Sequence, residues 1–297
     1  MDVFSEIKKL ELTVNNGGSR LCHKYRISKY YGGVATVDVV GCYLDCAYCW
    51  VPEFKRINDD IQKNLHSFDL LSPVETAKIL IELATKNKLK TVRLSGGEPT
   101  LNKDHLLGTI EIVTRNGLNF VLETNGINSD EGFVEALAKY QMNTYVYYSI
   151  KGVSANHFKL LTNKSEDLWN IQLNNICLYA KYGFRVGINT MMNYITEHDF
   201  ISFLNKLEQL NPYLPMCIDT KETSTFPHVF KRLKERNIIS NQNCLTKSDY
   251  LLILNQYFPN LSKKRSSYLV KLGIMDFIDF QEIQKREEYY KSDIALK

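Results

Sequence analysis

The sequence predicts an α/β protein built as a partial, TIM-like (β/α)6 barrel, and two observations carry that prediction. Between residues 33 and 220, six runs of β-branched and aromatic residues alternate with amphipathic segments, and each run but the last leads to a helix signal. Such alternation favours a parallel sheet with helical crossovers, and six units fall two short of a full barrel. Outside this stretch the rhythm is absent. Residues 1–32 form a short N-terminal segment without an assignable period, and residues 221–297 read as a helical C-terminal extension with a basic KKR at 263–265.

Each unit has its own signals. VATVDVVG, from Val34, is the first strand and runs into a cysteine-bearing loop. Ser72 opens a helix, with Pro73 at its first position and Glu75 closing a capping box. TVRLS (Thr91 to Ser95) is a strand that enters Gly96-Gly97, and the next helix, from about Asp104 to Arg115, stops at Asn116-Gly117. FVLET and TYVYYSI are strands rich in β-formers, separated by a helix from about Asp130 to Tyr140. A helix from about Ser165 to Tyr182 ends at Gly183, where FRVGINT begins. A helix from about Glu197 to Leu210 and the strand PMCIDT complete the set, and SDYLLILNQYF and DFQEIQKREEYY read as later helices.

Composition narrows the function classes. A net charge of +4, from 37 basic and 33 acidic residues, permits an anionic partner without requiring one. The N-terminus, MDVFSEIKKLEL, has no apolar leader, and no apolar run approaches the ~18 residues that cross a bilayer, so a cytoplasmic protein is expected. A P-loop, a dinucleotide fingerprint, a nucleophile elbow and an HExxH pair are all absent.

Cys42, Cys46 and Cys49 stand out, spaced C-x3-C-x2-C in the loop after the first strand. A tight cluster in a reducing compartment points to metal rather than to disulfides. Structural zinc wants a fourth ligand, and the nearest upstream candidates, Cys22 and His23, lie on the far side of a strand. A [4Fe–4S] cluster held by three thiolates keeps one iron open for a substrate or cofactor. A second motif, SGGEPT (Ser95 to Thr100), follows the second strand. Gly96 and Gly97 let the backbone approach a ligand, and Glu98 offers an anion to a ligand ammonium.

The cysteine spacing, with Tyr48 before the third cysteine, resembles the signature of the radical S-adenosylmethionine (SAM) superfamily. SGGEPT is similar to that family's Gly-Gly-Glu motif. The resemblance implies a [4Fe–4S] cluster on Cys42, Cys46 and Cys49, with Gly96, Gly97 and Glu98 at the amino group of S-adenosylmethionine. The strand ends LETNG and YSIKG are similar to the compact barrels of glycyl-radical activating enzymes and queuosine-precursor synthases. That implies cofactor contacts for Thr124, Ser149 and Lys151, and Asn189 on the fifth strand joins them as a candidate. Where the activating enzymes have Asp-Leu-Lys, this chain has Ser149-Ile150-Lys151, which removes the acidic group of a monovalent-cation site. An electron donor such as a flavodoxin or ferredoxin is implied.

Neither the catalytic residue toward substrate nor the substrate is written in these motifs. A macromolecular substrate, a protein side chain or tRNA, is the expectation, with Lys263, Lys264, Arg265, Lys271 and Lys285 as a candidate grip on phosphates. A small metabolite and a redox role without radical chemistry are the alternatives. Cys177 reads as core, and Cys22, Cys217 and Cys244 form no second cluster motif, Cys217 being a minor candidate to face substrate. The six histidines have no ligand spacing.

Overall fold

The computed structural model describes residues 3–191, 195–221 and 226–238, with isolated positions beyond, the last being Ile278–Asp279. Helix α1 (Val3–Val14) buries Ile7, Leu10 and Val14, and strand β1 (Asn15–Asn16) turns into β2 (Ser19–Ser28). Next come β3 (Val34–Val39), α2 (Asn58–Lys63) and the short β4 (Asp69–Leu71). The alternating part follows as α3 (Pro73–Lys86), β5 (Thr91–Gly96), α4 (Lys103–Arg115), β6 (Asn119–Thr124), α5 (Glu131–Ala138) and β7 (Thr144–Ser149). It continues with α6 (Ala155–Thr162), α7 (Asp167–Lys181), β8 (Arg185–Met191), α8 (Glu197–Leu210), β9 (Ile218–Lys221), α9 (Pro227–Glu235) and β10 (Ile278–Asp279).

Strands β3, β5, β6, β7, β8 and β9 pair in parallel in that order, and they are the six that the sequence predicts. The curled sheet is a partial TIM-like barrel. Its two faces differ, because side chains alternate along a strand. Val92, Leu94, Phe120, Leu122, Val146, Tyr148 and Ile188 belong to the main hydrophobic core. Residues of opposite parity, among them Thr36, Asp38, Arg93, Ser95, Glu123 and Tyr147, form the inner face. Each fully buried apolar side chain contributes on the order of 1.5–3 kcal/mol relative to exposure, so the outer face supplies most of this term. Val121, Tyr145 and Tyr147 form a smaller buried cluster on the inner face.

Residues 3–32 are joined to this sheet through β2. β2 pairs antiparallel with β3, from Ser28↔Val34 to Cys22↔Val39, and so satisfies the backbone edge that the first parallel strand would leave open. β4 pairs with β2, and β10 pairs antiparallel with the first residues of β8. Helix caps agree with the sequence where the signals are local. Ser72 and Glu75 make the reciprocal capping box of α3, and Asn102, Asp130 and Thr196 cap α4, α5 and α8. The sequence does not predict α6, whose eight residues are capped by Ser154 at the start and by left-handed Asn163 at the end. In the C-terminal extension, α9 is helical, as are Asp249, Leu252, Ile253, Asn255 and Gln256 within the helix predicted at 248–258. Cys244, Lys263, Lys264, Arg265, Lys271, Lys285 and the helix predicted beyond Asp279 lie outside the described residues. Among the described residues no helix is long and apolar enough to cross a membrane.

Candidate active site

The cysteine loop leaves β3 and is held by backbone bonds from three directions. Gly41 and Cys42 donate N–H groups to the carbonyls of Lys55 and Arg56, at 2.8 and 3.2 Å. Asp45 and Ala47 donate to Thr162 and Leu161, the last carbonyls of α6, at 3.2 and 2.8 Å. Cys49 closes back on the Cys46 carbonyl at 3.1 Å. Three arginines clasp the same loop. Buried Arg56 donates to the Leu44 carbonyl and to Asp45, Arg232 of α9 to the Cys49 carbonyl, and Arg236 to the Asp45 carbonyl and carboxylate.

Within the loop Cys46 is buried, and Cys42 and Cys49 are half-buried. Burial raises the Cys42 thiol well above its usual range, with Glu98, Cys46 and Cys49 adding repulsion in that order. Burial also raises Cys46, while the Lys151 ammonium pulls it down. Among the described residues no three Cys, His, Asp or Glu side chains close on a single point tightly enough for one metal ion.

The Gly-Gly-Glu turn presses against this loop. Gly96 has φ +85°, a conformation that favours glycine. Gly97 N–H donates to the Val39 carbonyl and Glu98 N–H to the Gly41 carbonyl, both at 2.8 Å. A Cβ on Gly97 would sit 2.2 Å from the Gly41 oxygen. Sequence reasoning assigns the Glu98 carboxylate to a ligand ammonium; in the structure Glu98 lines the cavity and also serves the protein. Its Oε1 accepts from Thr100 N, Thr100 Oγ1 and Thr124 Oγ1 at 3.2, 2.8 and 2.7 Å, and its Oε2 accepts from Asn125 N at 2.9 Å. Three donors crowd Oε1 and one reaches Oε2, so Glu98 ties the end of β6 to the turn after β5 while Oε2 keeps room for a further donor. Glu98→Gln should therefore leave a buried donor unmatched and destabilise the protein by about 1–3 kcal/mol. An unchanged unfolding midpoint in urea would remove that bracing role.

The remaining predicted residues stand at successive strand ends. Thr124 Oγ1 is used by Glu98 and by Gly126 N–H at 3.0 Å. Asn189 Nδ2 reaches Ser149 Oγ at 3.4 Å. Lys151 lies with Nζ 5.8 Å from the centre of the Tyr48 ring. All ten sequence-derived residues (Cys42, Cys46, Cys49, Gly96, Gly97, Glu98, Thr124, Ser149, Lys151 and Asn189) line one cavity of about 520 Å3.

Sequence reasoning misses several residues that build this wall. Asn125 also lines the cavity, with Nδ2 4.0 Å from Cys42 Sγ, and its Oδ1 accepts from Tyr43 Oη and Ile127 N. Its position beside Thr124 in LETNG is the only signal for it. Gln172 of α7, fully buried, donates to the Asn125 and Ser149 carbonyls and accepts from Lys151 N–H at 3.1 Å, clamping the ends of β6 and β7 from behind. Arg20 of β2 donates to the carbonyls of Val40 and Glu98, bridging the two motifs, and burial lowers its pKa to about 10. Neither sits in a motif. The other described cysteines stay out of the cavity: Cys22 and Cys217 are buried in the core, and Cys177 packs against it on α7.

A buried loop presenting three thiols, beside a glycine turn and a ring of polar strand ends on a partial (β/α) barrel, defines a class of cofactor-dependent enzymes. The profile of the radical SAM superfamily matches residues 36–207, more than half of the chain, and the chain belongs to that superfamily. Its members bind a [4Fe–4S] cluster and S-adenosylmethionine, and this protein is an enzyme. A GTP 3′,8-cyclase of Actinobacillus succinogenes is 33% identical over 116 residues, 39% of this chain and 32% of that protein. An uncharacterised protein of Methanocaldococcus jannaschii is 28% identical over 247 residues, 79% of this chain and 73% of its own length. Streptococcus suis SuiB, solved with S-adenosylmethionine, superposes with a TM-score of 0.53 at 16% identity, over 76% of this chain and 46% of SuiB. The likeness to SuiB shows the fold alone. The chain thus spans about a third of that cyclase and under half of SuiB.

The residues present fit the two cofactors. Soft, clustered thiols suit iron, and Asn189 Oδ1 is buried without a hydrogen-bond partner among the described residues, an acceptor left for a ligand hydroxyl.

Proposed function

We propose that this protein is a radical SAM enzyme in which Cys42, Cys46 and Cys49 hold the cluster. Gly96, Gly97, Glu98, Thr124, Ser149, Lys151 and Asn189 form the wall that binds S-adenosylmethionine. The observation that carries this reading is the convergence of ten residues from five strand ends on one cavity. When bound, the two cofactors supply a 5′-deoxyadenosyl radical, formed with one electron from a flavodoxin or ferredoxin, that abstracts hydrogen from the substrate.

The chain's own groups divide the work. The Lys151 ammonium suits a carboxylate of the cofactor, and Ser149 Oγ with Asn189 Oδ1 suits a ribose edge. Glu98 and Thr124 hold the strand ends that shape the glycine turn. The buried cysteine loop excludes water, which a reactive radical requires.

A group presented by a larger molecule, a protein side chain or a tRNA nucleotide, fits the open side of a six-unit barrel. A small metabolite is the second reading, because Tyr31, at the end of the cavity away from the cysteines, packs on Tyr147 and bonds Glu123. The cyclase relatives are named for GTP, a small molecule. Either reading places the reaction in the cytoplasm, with a soluble electron donor.

The test is anaerobic reconstitution followed by dithionite reduction with S-adenosylmethionine. Methionine and 5′-deoxyadenosine are expected in equal amounts. Zinc at one equivalent with no iron uptake, or iron uptake without 5′-deoxyadenosine, would sink the reading.

A further inference from the structure

The side of the cavity formed by β2, β3 and β5 carries charged residues to which the cofactor wall gives no role. β3 runs from the hairpin turn at Tyr30–Gly32 to the cysteine loop, and its six residues separate the two ends by roughly 20 Å. Of the lining residues, Tyr30 and Tyr31 stand at the far end, and Arg26 and Arg93 flank Thr36 midway. Lys24 and Glu123 stand level with Asp38 and Ser95, just below the glycine turn. Arg26 Cζ also lies 5.4 Å from the centre of the Trp50 ring, beside Cys49.

The polar groups of this side are over-supplied with donors. Arg93 is 3% exposed and spends Nε on Thr36 Oγ1, at 3.1 Å, and Nη1 on Glu123. Its Nη2 has no partner among the described residues. Arg26 gives Nε and Nη2 to Asp38, at 2.8 and 2.9 Å, and keeps Nη1. Lys24, two residues before Arg26 on the same face of β2, makes no ion pair among the described residues. The acceptors nearby are already engaged: Glu123 also takes the Tyr31 hydroxyl, at 2.6 Å, and Ser95 Oγ, at 3.1 Å. Three cations therefore face two carboxylates, which leaves one positive charge and three N–H-bearing nitrogens uncommitted.

Stability does not account for this set. A buried Arg–carboxylate pair is on average no better than an apolar pair of the same volume, and a barrel interior is ordinarily filled with branched aliphatic side chains. Arg93 is held flat besides, over the rings of Tyr30 and Tyr31 at 5.5 and 5.6 Å. Tyr31 itself adopts left-handed backbone, φ 55°, to reach Glu123. A planar guanidinium fixed in orientation with one free edge is suited to a carboxylate or phosphate.

We infer that the β2–β3–β5 side of the cavity binds an oxyanion, a carboxylate or phosphate carried by the substrate, on Arg93 with Lys24 and Arg26. This inference rests on the cavity being the enzyme's active site. The bound anion fixes which hydrogen of the substrate is held toward the cofactor wall, so Arg93 and Lys24 are specificity residues.

The test titrates reconstituted protein anaerobically with phenyl phosphate and, separately, with benzoate at constant ionic strength, with S-adenosylmethionine affinity measured on the same samples. The parent is expected to bind at least one probe saturably. Affinity is expected to fall more than about tenfold in Arg93→Gln and several-fold in Lys24→Gln, with Arg93→Lys between parent and Arg93→Gln. Binding of phenyl phosphate alone assigns a phosphate, and of benzoate alone a carboxylate. Lys24 is exposed, so Lys24→Gln keeps its fold and the test stands even where Arg93→Gln does not. Saturation by neither probe overturns the inference, as does parental affinity in both Lys24→Gln and Arg93→Lys. Absence of S-adenosylmethionine binding in the parent strikes instead at the proposed function.

Discussion

Gly97→Ala is expected to abolish S-adenosylmethionine binding and to strip most of the cluster, through one added methyl group that touches neither cofactor's iron nor sulfur. The new Cβ would lie 2.2 Å from the Gly41 carbonyl oxygen and 3.0 Å from the Gly41 carbon and nitrogen. These are backbone atoms and cannot rotate away as a side chain does. The two motifs must separate, which breaks the bonds from Gly97 N–H to Val39 and from Glu98 N–H to Gly41. Two lost hydrogen bonds and the overpacking together cost about 2–5 kcal/mol. Gly132→Ala is the control. Gly132 lies inside α5, and its Cβ would meet only Asp130 Oδ1, at 3.5 Å, so a neutral or slightly stabilising effect of up to about 1 kcal/mol is expected. Iron content, equilibrium binding of S-adenosylmethionine and thermal unfolding measured on both variants decide it. Parental values in Gly97→Ala would mean that the turn and the loop are not coupled.

Cys42→Ala, Cys46→Ala and Cys49→Ala should each remove the cluster and all 5′-deoxyadenosine formation. A cubane on two thiolates loses the geometry that holds it, so no partial activity is expected. Parent protein should take up about four irons. Cys177→Ala, by contrast, changes a half-buried thiol whose Sγ lies 3.6 Å from the Leu173 carbonyl, on a helix outside the cavity. It should cost about 1 kcal/mol of stability and leave iron and turnover at parental levels. Retention of a full cluster in any one of the three loop variants would mean that a different ligand set holds it.

Local chemistry was legible wherever the signal is local. The six parallel strands, the capping box at Ser72 and Glu75, and the stops at Gly117 and Gly183 depend on residues within a turn or two of one another, so a period or a cap is enough to place them. The three cysteines are likewise a sequence fact, since eight consecutive residues in a loop bring them together whatever the rest of the chain does. The link from β2 to β3 was not legible, because strand pairing across a hairpin depends on which edge the rest of the sheet leaves open.

The sequence by itself determined the superfamily-defining loop, the barrel rhythm and the glycine turn, because each is carried by contiguous residues. Only the tertiary structure decided what those residues do to one another. It gave Glu98 a second task as a brace, because donors 26 and 27 residues away, on Thr124 and Asn125, come within hydrogen-bond reach once β5 and β6 pair. It set Arg20 of β2 and Gln172 of α7 behind the site, from positions that no spacing rule connects to it. It also placed Arg93, an unremarkable residue in TVRLS, in the lumen with one edge of its guanidinium free. Whether a strand residue faces the core or the cavity follows from its parity in a closed sheet, and that parity gains meaning only when the sheet has curled.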